Sequence, residues 1–246
     1  IFDKAGRFIE ERRLRRFPEF CVDENRFITG DQLGGRPEWI QKISVVEFPP
    51  DSEEVIEHEL FRAENTGIIW GEGNSAFAEI WGTPRIAYVC DRELERAYVA
   101  LNTEYDIFVK DLKGEILSVI HRPYAKVKLT SEDKLKLLTN DKEVEPTDWR
   151  LKFYPDTAIA IRGMKLLPGG YLAVLRVSGV KELEVDVFDT EGRFQYVLLP
   201  PEGLDIGLAE FYDFGLATIT ELPDGMQVYE EYLVKNLPDI FQPGRQ

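Results

Sequence analysis

The residue types that most often carry out acid–base or metal chemistry are scarce in this chain. Its 246 residues include two histidines and two cysteines. His58 lies in an alternating segment that is expected to form an exposed outer strand, and His121 follows the predicted strand 116–120. Neither belongs to an HExxH or HxH pattern, and no G-x-S-x-G nucleophile motif occurs. The sequence therefore indicates two surface histidines, no metal, no cofactor and no catalytic residues.

Acidic residues next to predicted turns are the other candidates for metal binding, because Ca²⁺ prefers carboxylate oxygens. None of them belongs to a D-x-[DN]-x-[DN]-G loop. A turn aspartate that accepts hydrogen bonds from nearby backbone amides explains each of them more simply. We therefore expect turn-forming rather than metal-ligating roles for Asp23, Asp31, Asp91, Asp111 and Asp189.

The cysteines occur in similar surroundings, each in a short apolar strand that ends at an acidic turn. Two cysteines are too few for a disulfide scaffold or a structural zinc site. We expect Cys21 and Cys90 to be unpaired and buried, where each acts as a small apolar core residue. A disulfide between them is the alternative.

Composition excludes some classes of partner. The chain is 43% hydrophobic and 30% charged, so it can bury a sizeable core, and its formal net charge is −15. An acidic surface repels nucleic-acid phosphates and anionic lipids, so neither is an expected partner. No apolar run long enough for a membrane span occurs. A protein partner or a second copy of the chain remains compatible with the charge.

A short hairpin pattern recurs along the chain and indicates how the elements are organised. The pattern consists of the end of an apolar strand, the turn Asp-x-x-Gly and a second alternating strand. It occurs in residues 1–10, 109–120 and 187–199, and the glycines that close its turns are Gly6, Gly114 and Gly192. The aspartate accepts from the backbone two residues on, and glycine adopts the left-handed conformation freely. Recurrence of one such unit is typical of a repeat architecture.

Alternating segments separated by Gly, Pro and Asp turns predict antiparallel strands throughout. They group in fours at about 40 to 50 residues per group, which is typical of a β-propeller. We predict an all-β fold, a single propeller domain over residues 1–246 with a helical linker at 121–156. The helix is expected within 129–138, with Thr130 as its cap and Glu132 and Asp133 in its first turn. The predicted blades are 17–62, 84–120, 158–199 and 205–235.

The segment AYVALNTEYDIFVKDLKGEIL at 97–117, continuing to Tyr124, resembles a blade of bacterial six-bladed β-propeller proteins related to the NHL-repeat group. The helical linker fits this group, as do the inner strand expected in 160–174 and the short final blade in 222–234. A six-bladed ring would need roughly 80 to 100 further residues before Ile1, at about 40 to 45 per blade. The resemblance implies missing amino-terminal blades and an exported, periplasmic or extracellular protein, whereas the residues themselves leave localisation open.

Two function classes follow from this architecture. The first is a non-enzymatic propeller that binds a protein or assembles with itself, with the edges 1–10 and 227–234 as the expected contact strands. Arg85 and Arg162 are expected to precede the first strands of two blades, near one mouth of the channel. There they either bind a small anionic ligand or pair with the chain's own acids. The second class is a lactonase-like hydrolase or lyase with a metal or ionisable cluster at that mouth. The four tryptophans are expected in the core or between blades, or else in an exposed recognition patch.

Overall fold

Strands form most of the regular structure. The structure is a computed structural model that describes residues 20–35, 38–50, 54–64, 69–70, 77–78, 84–139, 151, 154–180, 182–200, 210–212, 215–221 and 227–233. Its α-helix within these ranges is α1 (Ser131–Thr139). The strands are β1 (Phe20–Cys21), β2 (Arg26–Gly35), β3 (Glu38–Glu47), β4 (Ile56–Glu64), β5 (Ile69–Trp70), β6 (Phe77–Ala78), β7 (Ile86–Asp91), β8 (Arg96–Leu101), β9 (Asp106–Asp111), β10 (Ile116–His121), β11 (Ile161–Leu167), β12 (Tyr171–Gly179), β13 (Glu182–Phe188), β14 (Phe194–Leu198), β15 (Glu210–Tyr212), β16 (Gly215–Glu221) and β17 (Gln227–Leu233).

Consecutive strands pair into four-stranded antiparallel sheets. Their orders are β1-β2-β3-β4, β7-β8-β9-β10 and β11-β12-β13-β14, followed by a three-stranded sheet β15-β16-β17 and a small pair β5-β6. Each sheet is a meander in which neighbours in sequence are neighbours in space. The prediction of an all-β chain built from blade-like four-stranded sheets is therefore confirmed.

The strand predictions differ from the structure most clearly in the first sheet. The sequence predicted that β2 ends at Thr29, whereas its pairing with β3 continues to Gly35, which lies opposite Glu38. The glycine-rich end of β2 has low strand propensity, and its continuous pairing with β3 outweighs that preference. The pair β5-β6 was not predicted. The side chains of the tryptophans lie outside the described residues, so their expected packing stays a prediction.

The repeated turns form as the sequence predicts. The amide of Gly114 donates to the carbonyl of Asp111 at 3.1 Å, and that of Gly192 donates to the carbonyl of Asp189 at 2.9 Å. Both glycines have positive φ, at 93° and 79°, a region that side chains disfavour. The first copy of the pattern, at 1–10, lies outside the described residues.

The chain divides into two compact units, each with its own core. Unit 1 comprises Ile1–Leu101 and Asp106–Val119, and unit 2 comprises Asn102–Tyr105 and Ile120–Gln246. In unit 1 the first two four-stranded sheets share one apolar cluster: Val22, Ile28, Ile43, Val45, Leu60, Ala63, Ile86, Cys90, Ala97, Val99 and Leu112. In unit 2 a cluster on the third sheet comprises Leu167, Ala173, Leu175, Val185 and Val187.

The helix α1 begins where the sequence predicts, with a reciprocal cap. The Thr130 hydroxyl accepts from the Asp133 amide at 3.2 Å, and the Asp133 carboxylate accepts from the Thr130 amide at 2.8 Å. This is a capping box in which aspartate replaces the usual glutamate. Hydrogen bonds from the Thr130 hydroxyl and amide lower the pKa of Asp133. No helix among the described residues is long and apolar enough to cross a membrane.

Replacing Thr130 with alanine is expected to raise the pKa of Asp133 towards its ordinary value and to weaken α1. Because the folded-state pKa is lowered, this cap stabilises the fold at pH values above the unfolded-state pKa of aspartate. The contribution disappears as the pH falls through the lowered value. NMR titration of the Asp133 carboxyl measures the change, with Thr130→Ser as the control that keeps the hydroxyl. Identical Asp133 titrations in the alanine and serine variants would contradict this role.

Cys90 is buried and unpaired in β7, as predicted, with 2% of its surface exposed. Burial, reinforced by the neighbouring charge of Asp91, raises the pKa of this thiol to about 11. The Cys21 side chain lies outside the described residues, so its free state stays a prediction.

We expect Cys90 to resist alkylation by iodoacetamide at pH 8 in the native protein, because the reactive species is the thiolate. It should react fully in urea, without prior reduction. Peptide mapping by mass spectrometry distinguishes Cys90 from Cys21. Rapid native labelling of the Cys90 peptide, or a Cys21–Cys90 disulfide in the unreduced digest, would contradict the expectation.

Candidate functional site

The strand β10 is the outer edge of its sheet and exposes an uncharged apolar surface. Ile116, Leu117 and Val119 are 56%, 58% and 48% exposed, whereas Ile120 is 4% exposed. The sequence from Ile116 to Ile120 carries no charged side chain. Within the described residues, no strand follows β10 on its outer side. This arrangement leaves backbone donors and acceptors beside apolar side chains, which is a template for adding another strand.

The last strands of the other four- and three-stranded sheets are protected by charged residues or by contacts with other side chains, as natural sheet edges usually are. The strand β4 carries Glu57, Glu59, Arg62 and Glu64, and β17 carries Glu230 and Glu231. The uncharged β14 is covered differently, since most of its residues are half-buried and the Arg122 guanidinium lies 4.1 Å from the ring centroid of Phe194. Among the last strands of the described four- and three-stranded sheets, β10 therefore has the least protected edge.

The turn between β9 and β10 fixes this edge in place. The Asp111 carboxylate accepts from the amides of Lys113 and Glu115, both at 2.9 Å. A Cβ atom on Gly114 would lie 2.5 Å from the backbone carbonyl oxygen of Glu59 in β4. The turn therefore packs directly on a neighbouring strand of unit 1. At the other end of β10, the buried Ile120 side chain anchors the strand.

A buried charged cluster lies in unit 2. Asp186 in β13 is fully buried, and its Oδ2 accepts from the Tyr105 hydroxyl at 2.6 Å and from Arg176 Nε at 3.0 Å. Its Oδ1 pairs with Arg122, while Arg176 also pairs with Glu184. Two guanidinium groups thus balance two carboxylates, and we find no free acid or base in the cluster.

The pKa shifts in this cluster keep the Tyr105 hydroxyl protonated and the Arg176 guanidinium charged. Burial, and then the hydrogen bond to Asp186, raises the pKa of Tyr105 far above its usual range, so the hydroxyl remains a donor. Burial alone would lower the pKa of Arg176, but the charges and hydrogen bonds of Asp186 and Glu184 outweigh it and raise that pKa. The cluster joins the loop at Tyr105 and the segment at Arg122 to β12 and β13. Its role in the described structure is to hold these parts together.

The turn aspartates act mainly as expected. One carboxylate oxygen of Asp23 accepts from the amides of Asn25 and Arg26, both at 2.8 Å, and Asp91 accepts from Glu93 and Leu94, both at 3.0 Å. The carboxylates of Asp111 and Asp189 accept in the same way. The prediction is wrong for Asp31, which lies within β2 opposite Lys42 because the pairing of β2 extends beyond the expected turn. In the described part of the chain, no three His, Cys, Asp or Glu side chains converge as a metal site would require.

The outer-strand position predicted for His58 is confirmed, whereas His121 belongs to the strand that it was predicted to follow. His58 lies in the outer strand β4, 3.7 Å from Glu47, and His121 is the exposed last residue of β10. They belong to different units. His58 is half-buried and His121 is exposed, and His121 directly precedes Arg122 of the Asp186 cluster.

The two arginines proposed for anion binding occupy different places in their sheets. Arg85 directly precedes β7, as predicted, and its side chain is half-buried. Arg162 does not precede its strand, because β11 begins one residue earlier, at Ile161. It is the extra residue of a β-bulge, since Ile161 lies opposite Arg176 and Gly163 lies opposite Leu175. The bulge directs the exposed Arg162 away from the regular ladder.

Sequence reasoning missed both β10 and the Asp186 cluster as notable sites. The signal for β10 was present, namely five uncharged residues in a predicted outer strand. The signal for the cluster was Asp186 between valines in an otherwise apolar strand, a pattern that requires a buried partner. The partners Tyr105 and Arg122 are far away in sequence, so only the fold identifies them.

Comparisons with known proteins assign this chain to no family. No protein-family model matches its sequence, and no curated protein sequence is similar to it. Among solved structures, one similar chain is described as KlHsv2 with loop 6CD replaced by a Gly-Ser linker. It is 11% identical, with a TM-score of 0.31, and the match covers 83% of this chain and 70% of that one.

Proposed function

We propose that this chain is a non-enzymatic β-propeller module that binds a polypeptide along an exposed sheet edge. The observation that carries the proposal is β10, whose Ile116, Leu117 and Val119 side chains are about half exposed beside an open edge. An extended peptide that adds to such an edge gains backbone hydrogen bonds, and its alternate side chains find apolar neighbours. The lactonase-like alternative has no comparable support among the described residues.

The same proposal includes the overall architecture of the domain to which β10 belongs. Residues 1–246 form one propeller domain of the six-bladed NHL-like type, with blades 17–62, 84–120, 158–199 and 205–235. The recurrent four-stranded meanders and the Asp-x-x-Gly turns support this. By analogy with the bacterial proteins that it resembles, we place the protein outside the cytoplasm. The net charge of −15 disfavours nucleic acid as its partner.

The sequence predicts partner contacts at two edges, 1–10 and 227–234, and the structure does not support them equally. The first, at 1–10, lies outside the described residues. The second, β17, is an edge of the three-stranded sheet and exposes Val228 and Tyr229, at 36% and 62%. Its two glutamates, Glu230 and Glu231, protect it against strand addition. The uncharged β10 is therefore the better candidate.

A second binding proposal is that Arg85 or Arg162, each expected near a channel mouth, binds a small anionic ligand. The observation that favours it is the bulge that presents the exposed Arg162. Calorimetric titration with citrate tests it. Binding that is lost in Arg85→Ala or in Arg162→Ala supports the proposal, and the absence of binding to the parent chain opposes it.

Selection from a phage-displayed library of random decapeptides tests the binding function. We expect the purified chain to select peptides with alternating apolar residues and no clustered charge. Their binding should be lost in Leu117→Glu, which places a charge at the centre of the edge, and kept in Glu230→Gln, which leaves β10 unchanged. Failure to select any peptide sensitive to Leu117→Glu would refute strand addition at β10. A metal bound by two or more protein ligands on the channel axis would refute the non-enzymatic assignment.

A further inference from the structure

The hydrogen-bonding direction of each β10 residue follows from the turn that precedes it. The Asp111 amide donates to the Glu115 carbonyl at 3.0 Å, so the Glu115 backbone is directed towards β9. Backbone direction alternates along an antiparallel strand. The N–H and C=O groups of Ile116, Ser118 and Ile120 are therefore directed outwards, away from β9. These three residues form the ladder that an added strand would use.

The two ends of β10 differ in charge. The uncharged segment follows Glu115 and is followed by His121. A parallel in-register copy of the same strand would place Glu115 beside Glu115, two like charges, whereas an antiparallel copy places Glu115 beside His121. Opposite charges across paired strands stabilise the pairing, and like charges destabilise it.

We infer that the occupant of this edge is β10 of a second copy of the chain, added antiparallel about a two-fold axis at Ser118. This inference rests on the proposed strand addition and names its partner. Antiparallel pairing joins outward-directed residues to each other, so Ser118 lies opposite Ser118 of the other copy and Ile116 lies opposite Ile120. The interface is then isologous and closes as a dimer.

The side chains fit this register on the exposed face of the strand. Leu117 lies beside Val119 of the other copy, which covers the two side chains that are 58% and 48% exposed in the single chain. Glu115 lies beside His121 of the other copy. No two like charges lie opposite each other between Glu115 and His121. Apolar cross-strand pairs of this kind stabilise the pairing of two strands.

The net charge determines the conditions under which the dimer should be sought. Two copies that each carry −15 repel one another. Salt screens this repulsion over about 8 Å at physiological ionic strength and about 3 Å at 1 M. We therefore expect dimerisation to strengthen as salt rises, which an interface dominated by ion pairs would not show.

Sedimentation equilibrium of the complete chain tests the dimer. We expect Ser118→Pro to weaken dimerisation by about tenfold or more, because two outward N–H donors are lost per dimer. The Ser118 N–H is directed away from β9, so proline leaves the sheet's own ladder intact. Ser118→Ala is the matched control and should dimerise normally. If Ser118→Pro misfolds by circular dichroism, Leu117→Glu replaces it, because Leu117 is exposed and tolerates the change in a monomer.

Cysteine cross-linking tests the register. Opposed residues in a hydrogen-bonded antiparallel pair have Cα atoms about 5.5 Å apart, a separation that a disulfide spans. Ser118→Cys should therefore form a disulfide-linked dimer under mild oxidation, and Lys113→Cys should not. A monomer at every protein and salt concentration, or equal cross-linking at both positions, overturns the self-pairing. A monomer that still binds peptides in a Leu117-dependent way overturns only this inference and leaves the proposed function supported.

Discussion

Replacing Asp186 with alanine is expected to lower the free energy of unfolding by about 3 to 5 kcal/mol. The carboxylate is fully buried, and Arg122 and Arg176 both pair with it while only 27% and 17% of their own side chains are exposed. Its removal leaves two largely buried guanidinium groups without their shared partner. The Tyr105 hydroxyl also loses its acceptor.

Urea unfolding followed by tryptophan fluorescence and circular dichroism measures this loss. Asp156→Ala is the matched control in the same unit, because Asp156 is 96% exposed and its partner Lys134 also donates to the Tyr154 carbonyl at 3.2 Å, a bond that the substitution leaves in place. Ion pairs of exposed carboxylates contribute little to stability, so this variant should be nearly as stable as the parent. Equal effects of the two substitutions would show that the Asp186 cluster does not hold unit 2 together.

Replacing Gly114 with alanine should cost about 2 to 5 kcal/mol, the sum of backbone strain and overpacking. The glycine has a φ of 93°, and an added Cβ would lie 2.5 Å from the Glu59 carbonyl oxygen. That oxygen belongs to the backbone of β4 and cannot move without disturbing a strand. The substitution therefore combines strain within the turn with a clash against the neighbouring sheet.

Two other glycines give a graded comparison. Gly192 also has a positive φ, but its added Cβ would meet the side chain of Ile120 at 2.8 Å, which can shift more easily than backbone. Gly163 has no atom within 4 Å of the corresponding position, so its alanine variant should change stability by no more than about 0.5 kcal/mol. Unfolding free energies should fall in the order Gly163→Ala, Gly192→Ala, Gly114→Ala. An equally stable Gly114→Ala protein would contradict the left-handed turn.

Features that depend on a few neighbouring residues were predictable from the sequence. The Asp111 and Asp189 turns are closed by their own backbone and carboxylate within five residues, so sequence order alone specifies them. The cap of α1 is equally local, and alternation placed almost every described strand. The limits of such local reasoning are visible at Asp31. Its surroundings favour a turn, but the long pairing of β2 with β3 makes it part of a strand.

Long-range pairing decided the rest. The partners of Asp186 come from residues as distant as Tyr105, and no local pattern specifies which charges meet in a core. Arg162 was expected before β11, but the bulge that contains it arises from a register shift against β12. The lack of charge in β10 could be read from its residues, whereas the openness of its edge depends on the sheet order. The sequence alone thus determined the turns, the strands and the all-β class, because local hydrogen bonds and alternation specify them. Only the tertiary structure determined the buried ion cluster and the exposed edge, because both depend on which distant segments pack together.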